Sequence, residues 1–535
     1  MMLADQPVET LLARHTGPLR RSVLIAFTLI LIVGAILVSL ATRMTPHVRD
    51  RAIAALNDRF RSEVALDSMQ ISVFPRPELS GGGLTLRHKA TPLIRIESFS
   101  ASAGLWGLMR SPLRLKTLEL DRLEISIPPG GVRSADGQAS GAEPTTGPTA
   151  TSTSSGSVAS RLVIDQIVSR TARLEIVPRD PSKLPREFQI HNLVMHGLFD
   201  AGGATFEAAL TNPQPRGEIT TRGTFGPWQA DEPSRTPVRG EYDFSAANLD
   251  TIKGIGGTLT SRGDYSGVLE RIEVKGETDT PDFSIDLAAQ PVPLKTTFHA
   301  IVDGTSGDTR LERVEARVIE TLIVAHGAVV RTKDVKGRRV ALDVTVDEGR
   351  IEDLLKLAVK AGKPLMTGQV RLTTKLLLPA GDAVVIERLE LDGRFSLNEA
   401  RFSNVNVQEQ INTLSQRGKG ETAKGGPSVV SSLSGTFRMR QGTLTFADLS
   451  FAVPGAVVQI AGTYDMKREL LDFHGDLLLD ATLEKTTTGW KAVLAKLAQP
   501  LFSRPGGGSK LPIKITGPRE KPEFGLDVRR AVSPG

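Results

Sequence analysis

From about residue 63 onward, apolar and polar residues alternate along the chain. Met69-Gln70-Ile71-Ser72-Val73-Phe74 and Leu115-Lys116-Thr117-Leu118-Glu119-Leu120 show the pattern early. A period near two puts successive side chains on opposite faces of a strand, so these segments predict β-structure. Leu162-Val163-Ile164-Asp165 and Arg173-Leu174-Glu175-Ile176-Val177 resume the pattern after an interruption. It then continues through LKTTFHAIVDG, TRLERVEARVIE, LIVAHGAVVRT, RVALDVTVDEG, GQVRLTTKLLLP, the stretch Ile386 to Leu397, GTFRMRQGTLTFADLSFAV and AVVQIAGTYDM. Gly, Pro, Asn and Asp punctuate these runs as turn residues do. No comparable number of helices interleaves them, which disfavours parallel βαβ units and predicts antiparallel meanders.

A few segments carry the helical period instead. Val48, Ala52, Leu56 and Phe60 form one stripe, suited to capping the first strand or lying on a bilayer. Ile351 to Val359 reads as a short amphipathic helix ended near Gly362 and Pro364. Val407, Ile411 and Leu414 share a face, as do Trp490, Leu494, Leu497 and Leu501. Each of these helices is expected to pack on a sheet. Between Pro128 and Ser157 there is almost no large apolar residue, so that stretch reads as a loop or linker.

Near the N-terminus, Ser22 to Thr42 runs without a charge between Arg21 and Arg43. About 21 residues at about 1.5 Å each match the roughly 30 Å hydrocarbon core of a bilayer. Signal-peptide apolar regions run only about 7–15 residues, so the length argues for an uncleaved anchor. Its membrane-facing residues are Val23, Leu24, Ile25, Phe27, Leu29, Ile30, Leu31, Ile32, Val33, Ile36, Leu37, Val38 and Leu40. Arginines flank it on both sides, so positive-inside counting does not settle its direction. The cysteine-free, β-rich remainder favours export of the larger part.

Composition narrows the chemistry. The 535 residues are 40% hydrophobic and 24% charged, proportions of a folded chain, and exceed what one compact core usually organises. Sixty-six basic against 60 acidic residues leave a net charge of +6 with no basic block, so nucleic acid is not expected as a partner. The absence of cysteine removes disulfides, thiolate catalysis and Cys-based metal sites. His191 and His196, the one close histidine pair, would face opposite sides of a strand and not share a metal. The glycine runs 81–83 and 506–508 lack the Lys-Ser/Thr of a phosphate loop, and no G-x-S-x-G elbow occurs. Asp353, Asp465 and Asp472 have no second acid or base placed by spacing. No catalytic, metal or cofactor site is therefore predicted, and an enzyme is not expected.

Strict alternation does predict a sheet with two chemically different faces. On the apolar face of the later strands the candidates are Leu444, Phe446, Leu449, Phe451 and Val453, followed by Val458, Ile460, Leu471, Phe473, Leu477 and Leu479. A phase shift at Asp448 marks a bulge there. From pattern alone such a face either lines an open groove or is buried when the sheet closes on itself as a sandwich or barrel.

Three stretches resemble the AsmA-like family. The first is LNDRFRSEVALDSMQISVFPRPELSGGGLTLRH with IRIESFSASAGLWGLMRSPLRLKTLELDRLEISIP, which includes a loop at Trp106 to Arg110. The second begins at DEGRIEDLLKLAVKAGKPLMTGQ. The third runs from SSLSGTFRMRQGTLTFADLSFAV to LPIKITGPREKPEFGLDV. The resemblance covers about half the chain and consists of fold-type patterns. It implies a mainly β protein in which an N-terminal transmembrane helix precedes an elongated, twisted antiparallel sheet with a taco-like groove and a few short amphipathic helices. The expected division is a cytoplasmic tail at 1–21, the anchor at 22–42, an N-terminal β region at 43–128, the linker at 129–157, a central β region at 158–345 and a C-terminal β region at 346–535. The resemblance further implies a single-pass inner-membrane protein with most of the chain in the periplasm. There its groove would carry phospholipid toward the outer membrane, with outer-membrane or envelope proteins as further partners. The rival expectation is a membrane-tethered scaffold for outer-membrane biogenesis that carries no lipid.

Overall fold

Wherever the alternating pattern is strong, the computed structural model forms strands. It describes residues 43, 45–57, 63–72, 78–88, 91–102, 113–128, 162–178, 180–198, 202–213, 215–229, 231–286, 290–331, 333–359, 363–421, 429–481 and 508–527. The anchor, the tail before it, the 129–157 linker, the Trp106 to Arg110 loop and the Trp490 to Leu501 stripe lie outside them. The chain is mainly β, with 25 strands among the described residues.

Contacts divide the chain into two compact units. The first comprises Met1–Ile125, Gln138–Ala172 and Val194–Ala204; the second comprises Ser126–Gly137, Arg173–Leu193 and Thr205–Gly535. In the first, β1 (Glu63–Ser72), β2 (Glu78–His88), β3 (Thr91–Ser102) and β4 (Leu113–Ile127) form an antiparallel meander. Leu66 pairs with Leu84, Leu84 with Ile96 and Ile96 with Leu123, so one face becomes the core. The helix over 45–57 is tied to the first strand: Arg49 Nη2 donates to Leu66 O at 2.6 Å, and Val64 N donates to Asn57 Oδ1 at 3.1 Å. Val48 of its apolar stripe is buried.

The strand β5 (Leu162–Ser169) corrects the expectation of a purely antiparallel sheet, because it pairs with β4 in parallel. Parallel pairing needs a crossover of about a dozen residues or more, and the chain between β4 and β5 supplies it.

The second unit holds most of β6 (Ala172–Ile176), β7 (Arg186–His196) and β8 (Ala204–Pro213), then β9 (Arg216–Phe225), β10 (Pro237–Asn248), β11 (Ile255–Gly256), β12 (Thr258–Val268), β13 (Arg271–Ile285), β14 (Val292–Val302), β15 (Thr309–Val318) and β16 (Thr321–Val330). It then runs through β17 (Arg339–Arg350), β18 (Met366–Leu378), β19 (Glu390–Phe402), β20 (Ser431–Arg440), β21 (Thr443–Val453), β22 (Ala456–Asp465), β23 (Leu470–Leu479), β24 (Ser509–Pro518) and β25 (Glu523–Leu526). Apart from the two-residue β11, which pairs with β13, each strand from β9 to β25 pairs antiparallel with the next. The anticipated bulge is present: Asp448 pairs with Thr436 and Phe446 with Phe437, leaving Ala447 extra.

Both described central helices form and dock at one end of these strands. The helix Ile351–Ala358 packs Ile351 and Leu354 against Val346, Val370 and Leu397. Its buried Asp353 carboxylate accepts from Thr321 Oγ1 at 2.9 Å and Glu320 N at 3.2 Å, while Arg350 N donates to the same hydroxyl at 2.9 Å. Asp353 is thus a fastening between helix and sheet. The helix Val405–Gly418 sets Ile411 among Val453, Ala456 and Leu479. One strand boundary differs from the sequence reading: Val385–Arg388 is a single helical turn, and β19 starts only at Glu390. Val385 and Leu389 close that turn by an N–H···O bond of 2.8 Å, while Arg388 Nε donates to Ala383 O at 2.8 Å. These local bonds replace the ladder that the alternating text would otherwise have joined.

The β20–β21 turn places Gln441 at φ +51° and Gly442 at φ +77°. Two-residue hairpin turns of this kind favour Asn-Gly, because Asn tolerates the left-handed region better than Gln. Gln441→Asn should raise the denaturation midpoint by on the order of 0.5 kcal/mol of stability.

Candidate functional site

Register, more than any single residue, builds the candidate site. Residues paired across antiparallel strands share a face. One row therefore runs Gly223, Gly240, Tyr265, Val274, Ala300, Leu311, Gly327, Leu342, Leu376, Leu391, Met439, Leu444, Tyr464, Leu471 and Gly517, crossing from β9 to β24. The next row runs Thr221, Tyr242, Gly263, Gly276, Phe298, Val314, Ala325, Val344, Thr374, Gly393, Phe437, Phe446, Gly462, Phe473 and Ile515. Neither row contains a charged residue. The opposite face carries the charges, as in the row Arg222, Glu241, Asp264, Lys275, His299 and Arg313. Arg222 pairs with Glu241 and Arg262 with Glu277 on that face.

Burial separates the two faces and also shows that the apolar one is not packed solid. In β12 the outward side chains are exposed and the inward ones half-buried, in alternation from Thr258 to Ser266. Phe298, Leu311, Val314, Leu342, Leu376, Phe395 and Phe437 are half-buried as well. In a sandwich core such side chains meet a second layer and lose nearly all access to solvent. Among the described residues the two docked helices cover only one end of the later strands.

Glycines on this face admit its bend. A Cβ on Gly276 would lie 2.7 Å from Tyr242 Oη and 2.9 Å from Phe298 Cζ, and one on Gly240 would lie 2.5 Å from Tyr265 Oη. Aromatic rings thus lie over the glycines of neighbouring strands. Glycines and bulges are the devices by which a sheet acquires curvature. The two tyrosines also report the local environment. Burial pushes both phenols above the usual tyrosine range, although Tyr242 bonds Ser261 Oγ at 3.1 Å and Tyr265 bonds Thr221 Oγ1 at 2.7 Å. Thr221, Ser261, Thr278 and Thr296 make this part of the face rich in neutral hydroxyls.

The curl is tight enough for opposite ends of distant strands to meet. The loop after β10 leaves the strand end shared with Thr280, Val318 and Arg350, whereas the loop between β18 and β19 leaves the other end. Yet Val385 N donates to Lys253 O at 3.3 Å, and Lys253 Nζ donates to Asp382 O at 3.1 Å. A second crossing joins the β6–β7 loop to two turns further on: Lys333 N donates to Ser182 O at 2.7 Å, and Lys183 Nζ lies 3.0 Å from Asp308 Oδ2. From β10 to β18 is about seven strand spacings of about 4.8 Å, and each strand is about 35 Å long. Along this seam the loops that leave β10 and β18, both interior strands of the sheet, meet through backbone bonds and exposed charges.

All eleven expected face residues lie on this apolar side, but not in equal surroundings. Val453, Val458, Ile460, Phe473 and Leu479 are buried, with the 405–418 helix against part of them. Leu444, Phe446, Leu449, Phe451, Leu471 and Leu477 are half-buried. Phe446 meets Phe473 with ring centroids 5.8 Å apart. The sequence reading stopped at these later strands and missed the same face on β9 to β19. There small and hydroxyl residues such as Gly276 and Thr278 interrupt the greasy alternation, and only the charged residues of the opposite face keep its phase.

The scattered polar residues do not converge on a reactive centre. His191 Nε2 lies 2.5 Å from Thr211 Oγ1, and both His191 and His196 are exposed on β7. His474 Nδ1 lies 2.8 Å from Asp527 Oδ2 and its Nε2 3.1 Å from Asp472 Oδ1, a clamp between β23 and the residue after β25. Asp465 accepts from Lys467 N at 2.9 Å and Arg468 N at 3.0 Å; these turn bonds, that of Arg468 foremost, hold its carboxyl below the usual range. Among the described residues no group of three His, Cys, Asp or Glu side chains could hold a metal ion, and no helix is long and apolar enough to cross a membrane. Comparison with known protein families, with characterised proteins and with solved structures finds no match.

Gly276→Val should lower the thermal midpoint markedly, since its branches would also meet Arg262 O, 2.8 Å from the Cβ position. Gly202→Val, with nothing within 4 Å of its Cβ position, is the matched control and should leave the midpoint nearly unchanged.

Proposed function

We propose that this chain is a membrane-anchored periplasmic lipid-binding protein, whose curled apolar face takes phospholipid acyl chains between inner and outer membrane. The uncharged, half-exposed face from β9 to β24 carries this reading. A surface of that extent is a liability in water unless it has an occupant. An acyl chain satisfies it without specific bonds, because each methylene leaving water gains about 0.8 kcal/mol. Uniform rows without a charge also offer no position where a sliding chain would be trapped. The uncharged 22–42 segment and the resemblance to the AsmA-like family support the anchor and the compartment.

Native mass spectrometry of the detergent-extracted full chain should show co-purifying phospholipid. Phe298→Asp and Phe446→Asp each place a carboxylate on the face and should reduce that lipid at least several-fold, with circular dichroism unchanged. A wild-type chain that carries no lipid would leave the tethered-scaffold reading in its place.

A further inference from the structure

The seam beside Lys253 has a property that the apolar face does not explain. Two lysines from two loops pair with one carboxylate, and an arginine stands near it on the carboxylate's own loop. Lys336 Nζ, from the β16–β17 turn, lies 2.7 Å from Asp382 Oδ2; Lys253 Nζ, from the loop after β10, lies 3.8 Å from Asp382 Oδ1. Arg388 follows on the same β18–β19 loop, where its Nε bonds Ala383 O at 2.8 Å. The hydrogen bond from Lys336, joined by the charges of Lys253, Lys336 and Arg388, holds the Asp382 carboxyl below the usual carboxylate range. Three positive charges against one negative leave local positive excess. All of it sits where the loop after β10 meets the β16–β17 turn and the β18–β19 loop.

An amphiphile poses a matching problem. A phosphate ester drawn onto the inner face would meet rows of apolar and neutral hydroxyl side chains with no cation, and burying a charge without a partner is strongly unfavourable. Its phosphate is therefore stable only beyond the strand ends, where the loops supply cations. We infer that the Lys253, Lys336 and Arg388 cluster is a subsite for the phosphate of an anionic lipid headgroup, seated at the seam while the acyl chains occupy the face beneath. The inference rests on the lipid-binding reading and adds to it a place for the headgroup and a preference for negative charge.

The seam is also suited to yielding. Lys253, Lys336 and Asp382 keep 65%, 77% and 55% of their side-chain surface exposed, and ion pairs so exposed hold weakly. A strand pair such as β22–β23 is instead joined by a ladder along its whole length. An arriving phosphate can take over the cations from Asp382 without disturbing any strand. Because the Asp382 carboxyl titrates below its ordinary range, its hold on the cations is complete at neutral pH and fades only as pH falls through and below that range.

The test uses the full chain in detergent, equilibrated with an equimolar mixture of phosphatidylglycerol and diacylglycerol of identical acyl chains and read by native mass spectrometry. Wild type should retain phosphatidylglycerol in clear preference. The double variant Lys253→Glu/Lys336→Glu should lose that preference at least several-fold while still retaining diacylglycerol. Lys336→Gln, which removes one charge with little structural burden, should lose part of it. Phe298→Asp should lower both lipids together. Variants that keep the wild-type ratio would overturn the headgroup subsite and leave lipid binding standing. A wild-type chain that retains neither lipid would overturn both.

Discussion

Everything in the second unit depends on one constraint: charge is confined to alternate positions, and the register keeps those positions on one face across strand after strand. Arg222, Glu241, Asp264, Lys275, His299 and Arg313 stand in one cross-strand row. Tyr265, Val274, Ala300 and Leu311 stand in the row beside it, directed to the other side. A slip of one residue at any pairing would exchange the faces, so register and amphipathicity enforce each other. Bulges test this coupling most directly. At Ala447 the extra residue restores the phase, returning Leu449 and Phe451 to the same face as Leu444 and Phe446.

Curvature follows from what that face lacks. Where side chains would crowd on a concave surface, glycine stands in their place, as at Gly240 beneath the Tyr265 ring and Gly276 beneath Phe298. The bend brings loops about seven strands apart into contact while the strands themselves stay paired only with their neighbours. Closure by loops differs from closure by a ladder. It rests on a few loop bonds, such as Val385 N to Lys253 O and Lys333 N to Ser182 O, and on exposed ion pairs that hold weakly.

The helices serve the sheet. Asp353, a lone acid in the sequence, has a buried carboxylate that fastens the 351–358 helix to the β15–β16 turn. The 405–418 helix places Ile411 over the ends of β21 to β23. There Val453 and Leu479 read as part of the same stripe as Leu444 but sit in a sealed end.

The sequence alone determined that the chain would be mainly β, where most strands run, that helices form near 351–358 and 405–418, and that the strands would have an oily and a charged side. These follow from local periodicity, which needs no knowledge of distant residues. It also carried the bulge at Asp448, because a phase shift is visible in the text. Tertiary structure decided the parallel joining of β5 to β4, the helical turn at Val385–Arg388 and the burial that separates Phe473 from Phe446. It decided as well the extension of the apolar face through Gly276 and Thr278, and the meeting of Lys253, Lys336 and Asp382. Each of these rests on which strands become neighbours and how far the sheet bends. Residues 253, 336 and 382 lie in loops with no shared period, so only the curl of the sheet could bring them together.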